Sequence, residues 1–394
     1  MAAIFAATAG AETILVERTR DGGRKILISG GGRCNVLPAS LDETRFITDS
    51  SPNTLRKLVR SWPLAEQVTF FEQEVGIPLV EETESKKLFP ASHKARDVRD
   101  GLLALAKQRG VSLYSETHVT DVVPTATGWS VLCAGAPTID CDAVIIATGG
   151  LSVPNTGSDG TGLRIAEKLG HGMQTTYAAL TPIVASSGEY ASLSGVSLTV
   201  SISATSQARS ATATGGFLFT HVGYSGPSVL DVSHVVVRSR ASNEQPPARV
   251  TVRWTPLGDD EWMERLKPRG ARTVLGAVRA ELPDRLAAAL IDAAGVAPDR
   301  VLSELQRDER SRVIETLVRG ALPWNSDEGY KKAEVTGGGV SLAEIDPRTM
   351  ESRRRPGLYL CGEVLDAFGP IGGYNFLWAW ATGRAAGLGA AQRT

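Results

Sequence analysis

Three short stretches carry residue types whose spacing implies a bound dinucleotide. In SGGGRCN, Ser29–Asn35, three consecutive glycines (Gly30, Gly31, Gly32) lie in a loop with Arg24, Lys25 and Arg33. Glycines in a row let a backbone approach another group closely and turn its amide hydrogens toward an anion. In VIIATGG, Val144–Gly150, a buried strand ends in Thr148 and the paired glycines Gly149 and Gly150. In GGYN, Gly372 and Gly373 open a closing helix through Tyr374 and Asn375, and the positive end of that helix would stabilise nearby negative charge. Glu17 fits the same picture. It follows the apolar run Ile14-Leu15-Val16, where a dinucleotide-binding βαβ unit keeps the acid that holds the adenosine ribose.

Acid-base candidates are few. His221, in LFTHVGYSGP, is of the type that gives and takes a proton near neutral pH, and it is equally suited to holding loop backbone. Tyr374 reaches either a substrate oxygen or a packing position. His93 precedes a helix and reads as a surface or capping residue. Cys34 has no second cysteine nearby and reads as a small buried residue. The four cysteines form neither a C-x-x-C pair nor a metal-ligand cluster, so no metal and no disulfide framework is expected, as in a reduced, cytoplasmic protein.

The elements that must position these residues follow from periodicity. Met1–Ala9 reads as a small-residue helix and Thr13–Val16 as a strand. Helices are expected near 53–61 and 64–75, and from Ala95 to Gln108, where Val98, Leu102, Leu105 and Ala106 share a face. Short antiparallel strands fill 118–142, and a helix follows near 160–169. From about Leu180 the texture turns to Ser, Val, Thr and Ala, with strands and glycine turns through GGFLFTHVGYSGPSVLDVS and ARVTVRWTPLG. The stretch 260–318 is helical. The fold class expected is α/β, a doubly wound domain split by an inserted β-barrel-like part and a small helical part. The boundaries fall at 1–180, 181–258, 259–324 and 325–394. With 394 residues, 42 bases against 43 acids and a net charge of -1, the chain carries no general electrostatic footprint for nucleic acid or an anionic membrane, and no apolar run suits a bilayer helix.

Taken together, GRKILISGGGRCN, FPASHKA, IIATGG, TGSDG, FTHVGYSGP, VTGGGV and GLYLCGEVLDAFGPIGGYNFLWAWATG resemble the bacterial family of NAD(P)/FAD-dependent, aminoacetone-oxidase-like flavoproteins. That family also holds bile-acid dehydroxylation reductases. The resemblance spans Met1 to about Gly389. It implies FAD as cofactor, Glu17 at the ribose, and Gly23, Arg24 and Lys25 at the start of a loop along the cofactor. Ser29 to Asn35 then approach pyrophosphate and flavin, and Val123 lies by the adenine. Gly362 and Glu363 form a second FAD signature, and Gly372, Gly373, Tyr374 and Asn375 lie beneath the isoalloxazine. Trp378 and Trp380 read as core. The activity implied is hydride transfer from NAD(P)H through FAD to an unsaturated carbonyl compound, with His221 or Tyr374 assisting protonation. The alternatives are an O₂-using amine oxidase and a non-catalytic flavin-binding protein. A small-molecule substrate is expected, with no nucleic acid, membrane or obligate protein partner.

One departure stands out. The first strand and its G-x-G-x-x-G turn, which should precede the opening helix, are not found in the sequence, and in-frame codons upstream of Met1 are expected to encode them.

Overall fold

The computed structural model describes residues 1–186 and 190–393. The chain forms two compact units, Met1–Tyr177 with Val335–Thr394, and Ala178–Glu334. The second unit runs to Glu334 rather than 324 because Trp324–Asp327 pairs with Ile183–Ala185 in that unit's sheet.

The first unit contains two parallel strand pairs. Ile14–Val16 lies beside Ser112–Tyr114, and Val144–Ile146 beside Leu358–Leu360. In the first pair Ser112 N donates to Thr13 O (2.9 Å) and Glu17 N to Tyr114 O (2.9 Å), so Ile14 and Val16 turn their backbone groups to the opposite edge. In the second, Val144 N donates to Gly357 O (2.9 Å) and Cys361 N to Ile146 O (3.1 Å), which turns Ile145 outward. The far edge of Leu358–Leu360 is taken by an antiparallel bridge from Glu351. Among the described residues no ladder joins the two pairs. The continuous doubly wound sheet expected from sequence is thus present as two parallel segments.

Helices cover these strands. Ala2–Thr8 packs on the terminal helix Tyr374–Ala391 through glycine: a Cβ on Gly387 would overlap the Ala2 carbonyl oxygen. The helix Ala95–Gln108 buries Val98, Leu102, Leu105 and Ala106, the face its periodicity marks. An antiparallel meander, Val119–Pro124, Trp129–Cys133 and Ile139–Cys141, and a small sheet of Leu37–Pro38, Lys87–Pro90 and Leu79–Glu82 complete the unit.

The second unit is built on a seven-stranded sheet whose two edge strands, Gly320–Ala321 and Trp324–Asp327, are consecutive in the chain. The helix Pro227–Ala241 packs on its strands Ser197–Thr205 and Ser210–Phe219. Sequence texture reads VLDVS, after Pro227, as strand, so this helix is a correction. Gly226 at φ 98° breaks the preceding strand and Pro227 presets the first helical φ. Burial of Val229, Val232, Val235 and Val236 then overrides the β preference of valine. Short helices at Asp259–Arg265, Val274–Val278, Asp284–Ala293 and Arg307–Arg319 follow.

Candidate functional site

Glu363 is the hub of a cluster in the first unit. Lys25 forms an ion pair with its carboxylate, Ser152 Oγ donates to it, and Thr336 N donates to Oε1 at 2.9 Å. Lys25 Nζ also reaches Ser152 Oγ at 2.5 Å, and Thr336 Oγ1 accepts from Leu151 N (2.7 Å) and Ser152 N (3.2 Å). A Cβ on Gly150 would overlap Thr336 Oγ1 and lie 3.0 Å from Glu363 Oε1. Three distant candidates, Lys25, Gly150 and Glu363, therefore meet at one point. Ser152 and Thr336 complete the cluster and were missed. Each lies within or beside a singled-out motif, Thr336 in VTGGGV and Ser152 just after ATGG.

The loop at Ser29–Asn35 is held in left-handed backbone. Gly30, Gly31 and Gly32 have φ of 54°, 67° and 85°, and Cys34 has 66°. Ser29 Oγ donates to Ile26 O at 2.8 Å. Asn35 Oδ1 is buried without a hydrogen-bond partner, an unpaired acceptor of the kind a ligand donor satisfies. Burial pushes the Cys34 thiol up to about 11 and the Cys361 thiol up to about 12, so neither is a thiolate at neutral pH. Arg33 is engaged elsewhere: its guanidinium bonds Glu82 Oε1 at 2.7 Å and lies 4.3 Å from the centre of the Phe89 ring. Arg24 is half exposed, 3.5 Å from Asp21.

Glu17 accepts from Thr19 N (2.7 Å) and Thr19 Oγ1 (2.6 Å), both on Oε1. Its Oε2 has no bonded partner among the described residues. Gly22 leaves room beside it, with a built Cβ 3.5 Å from Glu17 Cγ. Thr148 is exposed past the strand end, and Gly149 has φ 73°. Val123 is exposed on the meander, paired with Ser130.

The terminal helix begins buried and uncapped. Gly372 and Gly373 have φ of 105° and 94°, no side chain caps the first amides, and no acid stands in the first turn. The Lys87 stem crosses Gly372, 3.1 Å from its built Cβ. Asn375 braces the preceding turn, accepting from Gly369 N (2.9 Å) and donating to Gly369 O (3.0 Å). Tyr374 is buried and its hydroxyl donates to Ser40 O at 3.3 Å. The helix also grips Gly362, whose N donates to Thr382 Oγ1 (3.0 Å) and whose O accepts from Trp378 Nε1 (3.0 Å). Trp380 Nε1 bonds Val36 O at 3.1 Å, so both tryptophans are core with satisfied indoles.

His221 lies in the second unit, exposed in the turn between Ser210–Phe219 and Gly223–Ser225. Among the described residues no group of three or more His, Cys, Asp or Glu is placed to hold a metal ion, and no helix is long and apolar enough to cross a membrane.

These features fit FAD on three structural grounds: a buried helix start with orphan amides, an unpaired buried Asn35 Oδ1, and glycines whose Cβ atoms would close the cluster around Glu363.

Comparison with known proteins agrees. The chain is 33% identical over 385 residues to the ribosomal RNA dihydrouridine synthase of Escherichia coli strain K12, covering 96% of this chain and 92% of that one. It is 28% identical over 401 residues to the 3-dehydro-bile acid delta(4,6)-reductase of Clostridium scindens, covering 100% and 96%. Among solved structures, the 3-ketosteroid delta1-dehydrogenase of Sterolibacterium denitrificans matches with a TM-score of 0.53 at 13% identity, covering 100% of this chain and 97% of that one, a likeness of fold. Residues 1–389 match the HI0933-like protein Rossmann domain family, so the chain belongs to that family and is a FAD-dependent oxidoreductase.

Proposed function

We propose that this flavoprotein reduces a carbon–carbon double bond conjugated to a carbonyl, with the uracil ring of an RNA uridine as the favoured substrate. The observation that carries the reading is the 33% identity to a ribosomal RNA dihydrouridine synthase across 96% of the chain. The bile-acid relative supports the same chemistry, because a 3-keto group with double bonds at positions 4 and 6 is a conjugated dienone, and uracil likewise conjugates its ring double bond to a carbonyl. A net charge near zero removes a general affinity for nucleic acid and leaves a local one possible.

When bound, FAD supplies the two-electron hydride chemistry, with NAD(P)H as the proposed reductant. The chain's own residues hold and polarise. Glu17 Oε2 would accept from ribose hydroxyls. Lys25, Ser152 and Thr336 hold the Glu363 carboxylate, which would face the ribityl and pyrophosphate region. Ser29 to Asn35, with Thr148, Gly149 and Gly150, would line the cofactor. The amides opening the terminal helix would stabilise negative charge on the ring system. The Tyr374 hydroxyl donates to Ser40 O, so its proton is already committed to the fold.

The reading extends to the sheet. The outward edges of Ile14–Val16 and Val144–Ile146 suit one parallel strand between them, because parallel strands are found paired and covered on both faces.

The decisive assay offers FAD-reconstituted protein and NADPH, without oxygen, a uridine-containing ribosomal RNA fragment and a 4,6-dien-3-one steroid. Uridine that gains the mass of one hydrogen molecule supports the reading. A bound flavin that NADPH bleaches but that reduces neither compound overturns it.

A further inference from the structure

The strand Lys87–Pro90 brings a positive charge to the start of the terminal helix. Residues two apart on a strand share a face, so Lys87 points the same way as Phe89. Phe89 meets the glycine loop, where the Arg33 guanidinium lies 4.3 Å from the centre of its ring. Lys87 meets the helix, with Cε 3.1 Å and Cγ 3.5 Å from a Cβ built on Gly372. The neighbouring strand closes the same junction: Pro38 pairs with Lys87, and a Cβ on Gly373 would overlap the Leu37 carbonyl carbon. One face of this small sheet therefore touches both glycine segments that the FAD reading uses.

Electrostatics makes the placement informative. A helix start carries partial positive charge, and a cation beside it is unfavourable unless an anion lies within reach of both. The terminal helix has no acid in its first turn and no side chain on its first amides. The acids around it are engaged elsewhere. Glu82, opposite Lys87 on the hairpin, takes Arg33 at 2.7 Å and the Ser85 hydroxyl. Of the groups that hold the Glu82 carboxyl below its usual range, Lys87 acts least. Asp366, in the turn before the helix, is buried and accepts from Thr48, Asp49 and Ser50. Arg45, 5.3 Å from the centre of the Tyr374 ring, adds positive charge at the helix start. Lys87 itself is half-buried and forms no ion pair among the described residues.

We infer that Lys87 stabilises the negative charge that FAD gains on reduction, acting with the terminal helix start at the N1 and O2 side of the flavin ring. Two electrons and one proton leave the reduced ring with one negative charge, whereas the diphosphate carries the same charge in both states. A cation that faces the ring therefore favours the reduced cofactor. One that faces the diphosphate holds both states equally. The inference rests on the helix start lying at the flavin ring, as proposed above, and is independent of which compound is reduced.

Lys87→Met keeps the stem on Gly372 and removes the charge, and Lys87→Arg keeps the charge. The FAD-loaded proteins are titrated reductively against a reference dye, and the affinity for oxidised FAD is measured alongside. Lys87→Met is expected to weaken reduced FAD about tenfold relative to oxidised FAD, the scale of one charge-assisted contact. For a two-electron couple that is a midpoint potential about 30 mV lower. Sulfite, which adds at flavin N5 and leaves the ring negatively charged, is expected to bind about tenfold more weakly for the same reason. Lys87→Arg should retain most of both.

Equal weakening of oxidised and reduced FAD, with the potential unchanged, would move Lys87 to the diphosphate and overturn the inference. So would a Lys87→Met protein with the potential and sulfite affinity of the wild type. Gly373→Ala tests the underlying reading separately. If it lowers FAD affinity while Lys87→Met is silent, the helix start stays at the cofactor and only the role of Lys87 falls. If neither substitution changes FAD affinity, potential or sulfite binding, the placement of the helix start fails as well.

Discussion

In the first unit close glycine contacts gather at the Glu363 cluster and along the terminal helix, whereas in the second they lie along the sheet, beside a core of packed rings around Phe217, Phe219 and Trp254. Gly373, Gly150 and Gly387 bring backbone or polar side chains so near that a Cβ at any of them would overlap a neighbour. Across the second unit, Phe217 and Phe219 lie 4.8 Å apart between ring centres, and Phe219 stacks on Trp254 at 5.8 Å. Rings that fill their own space make a core that serves stability. Glycines that bring chains together around unpaired amides and an orphan acceptor make a crevice that holds something else. Substitutions in the two regions should therefore separate stability from cofactor binding.

The largest effect is expected at Trp254, fully buried in the second core. Trp254→Ala removes a large ring that its neighbours cannot replace, at a cost of about 3–5 kcal/mol. Calorimetry should show the transition of the second unit lowered while the first unit keeps FAD. Equal loss of flavin at temperatures below that transition would break the contrast. Next comes Gly373→Ala, where φ is 94° and the new methyl meets the Leu37 carbonyl carbon. Backbone strain and overpacking together cost about 2–5 kcal/mol. Here flavin retention should fall with the stability of the first unit; unchanged flavin affinity would remove the terminal helix start from the cofactor site.

A smaller change tests the cluster itself. Lys25 and Glu363 have side chains 28% and 15% exposed, so their pair is partly shielded from water. Lys25→Met is expected to cost about 1–2 kcal/mol, after allowance for that exposure. FAD affinity should drop alongside. The double substitution with Glu363→Gln should cost less than the sum of the single ones, since the two share one interaction. Strict additivity in both stability and FAD affinity would show that the pair is incidental.

How far the sequence carried this picture differs between the regions for the same physical reason. Ala95–Gln108 and the terminal helix were legible because a helix with one buried face, or a glycine pair before an apolar run, writes its pattern locally. Glu363 and Lys25 were legible as candidates from their motifs. Their mutual contact, and the parts of Ser152 and Thr336 in it, depend on chain crossings that no local pattern records. Pro227–Ala241 was misread because its buried valines have no alternation to distinguish a helix wrapped by neighbours from a strand. The free edges of Ile14–Val16 and Val144–Ile146 required the ladder itself.

The smallest expected effect is a pH dependence confined to the first unit. His171 is buried, with Nδ1 2.8 Å from Ala166 O and Nε2 2.7 Å from Ser352 Oγ. Burial lowers its pKa, against the raising pull of the Ala166 carbonyl and Glu344, while Arg354 and Arg355 add to the lowering. A lowered pKa means that the folded protein favours the neutral ring, and the unfolded chain takes up a proton first as pH falls. The stability tied to this residue is therefore complete above the ordinary histidine value of about 6.5 and is lost as pH falls from there through the lowered folded value. Denaturant midpoints of the first unit measured from pH 8 downward should decline through that window. His171→Gln, which keeps a polar side chain but does not titrate, should flatten that part of the decline and leave the aromatic second unit's profile as it was. A wild type that gains stability on acidification through the same window would contradict a neutral buried His171.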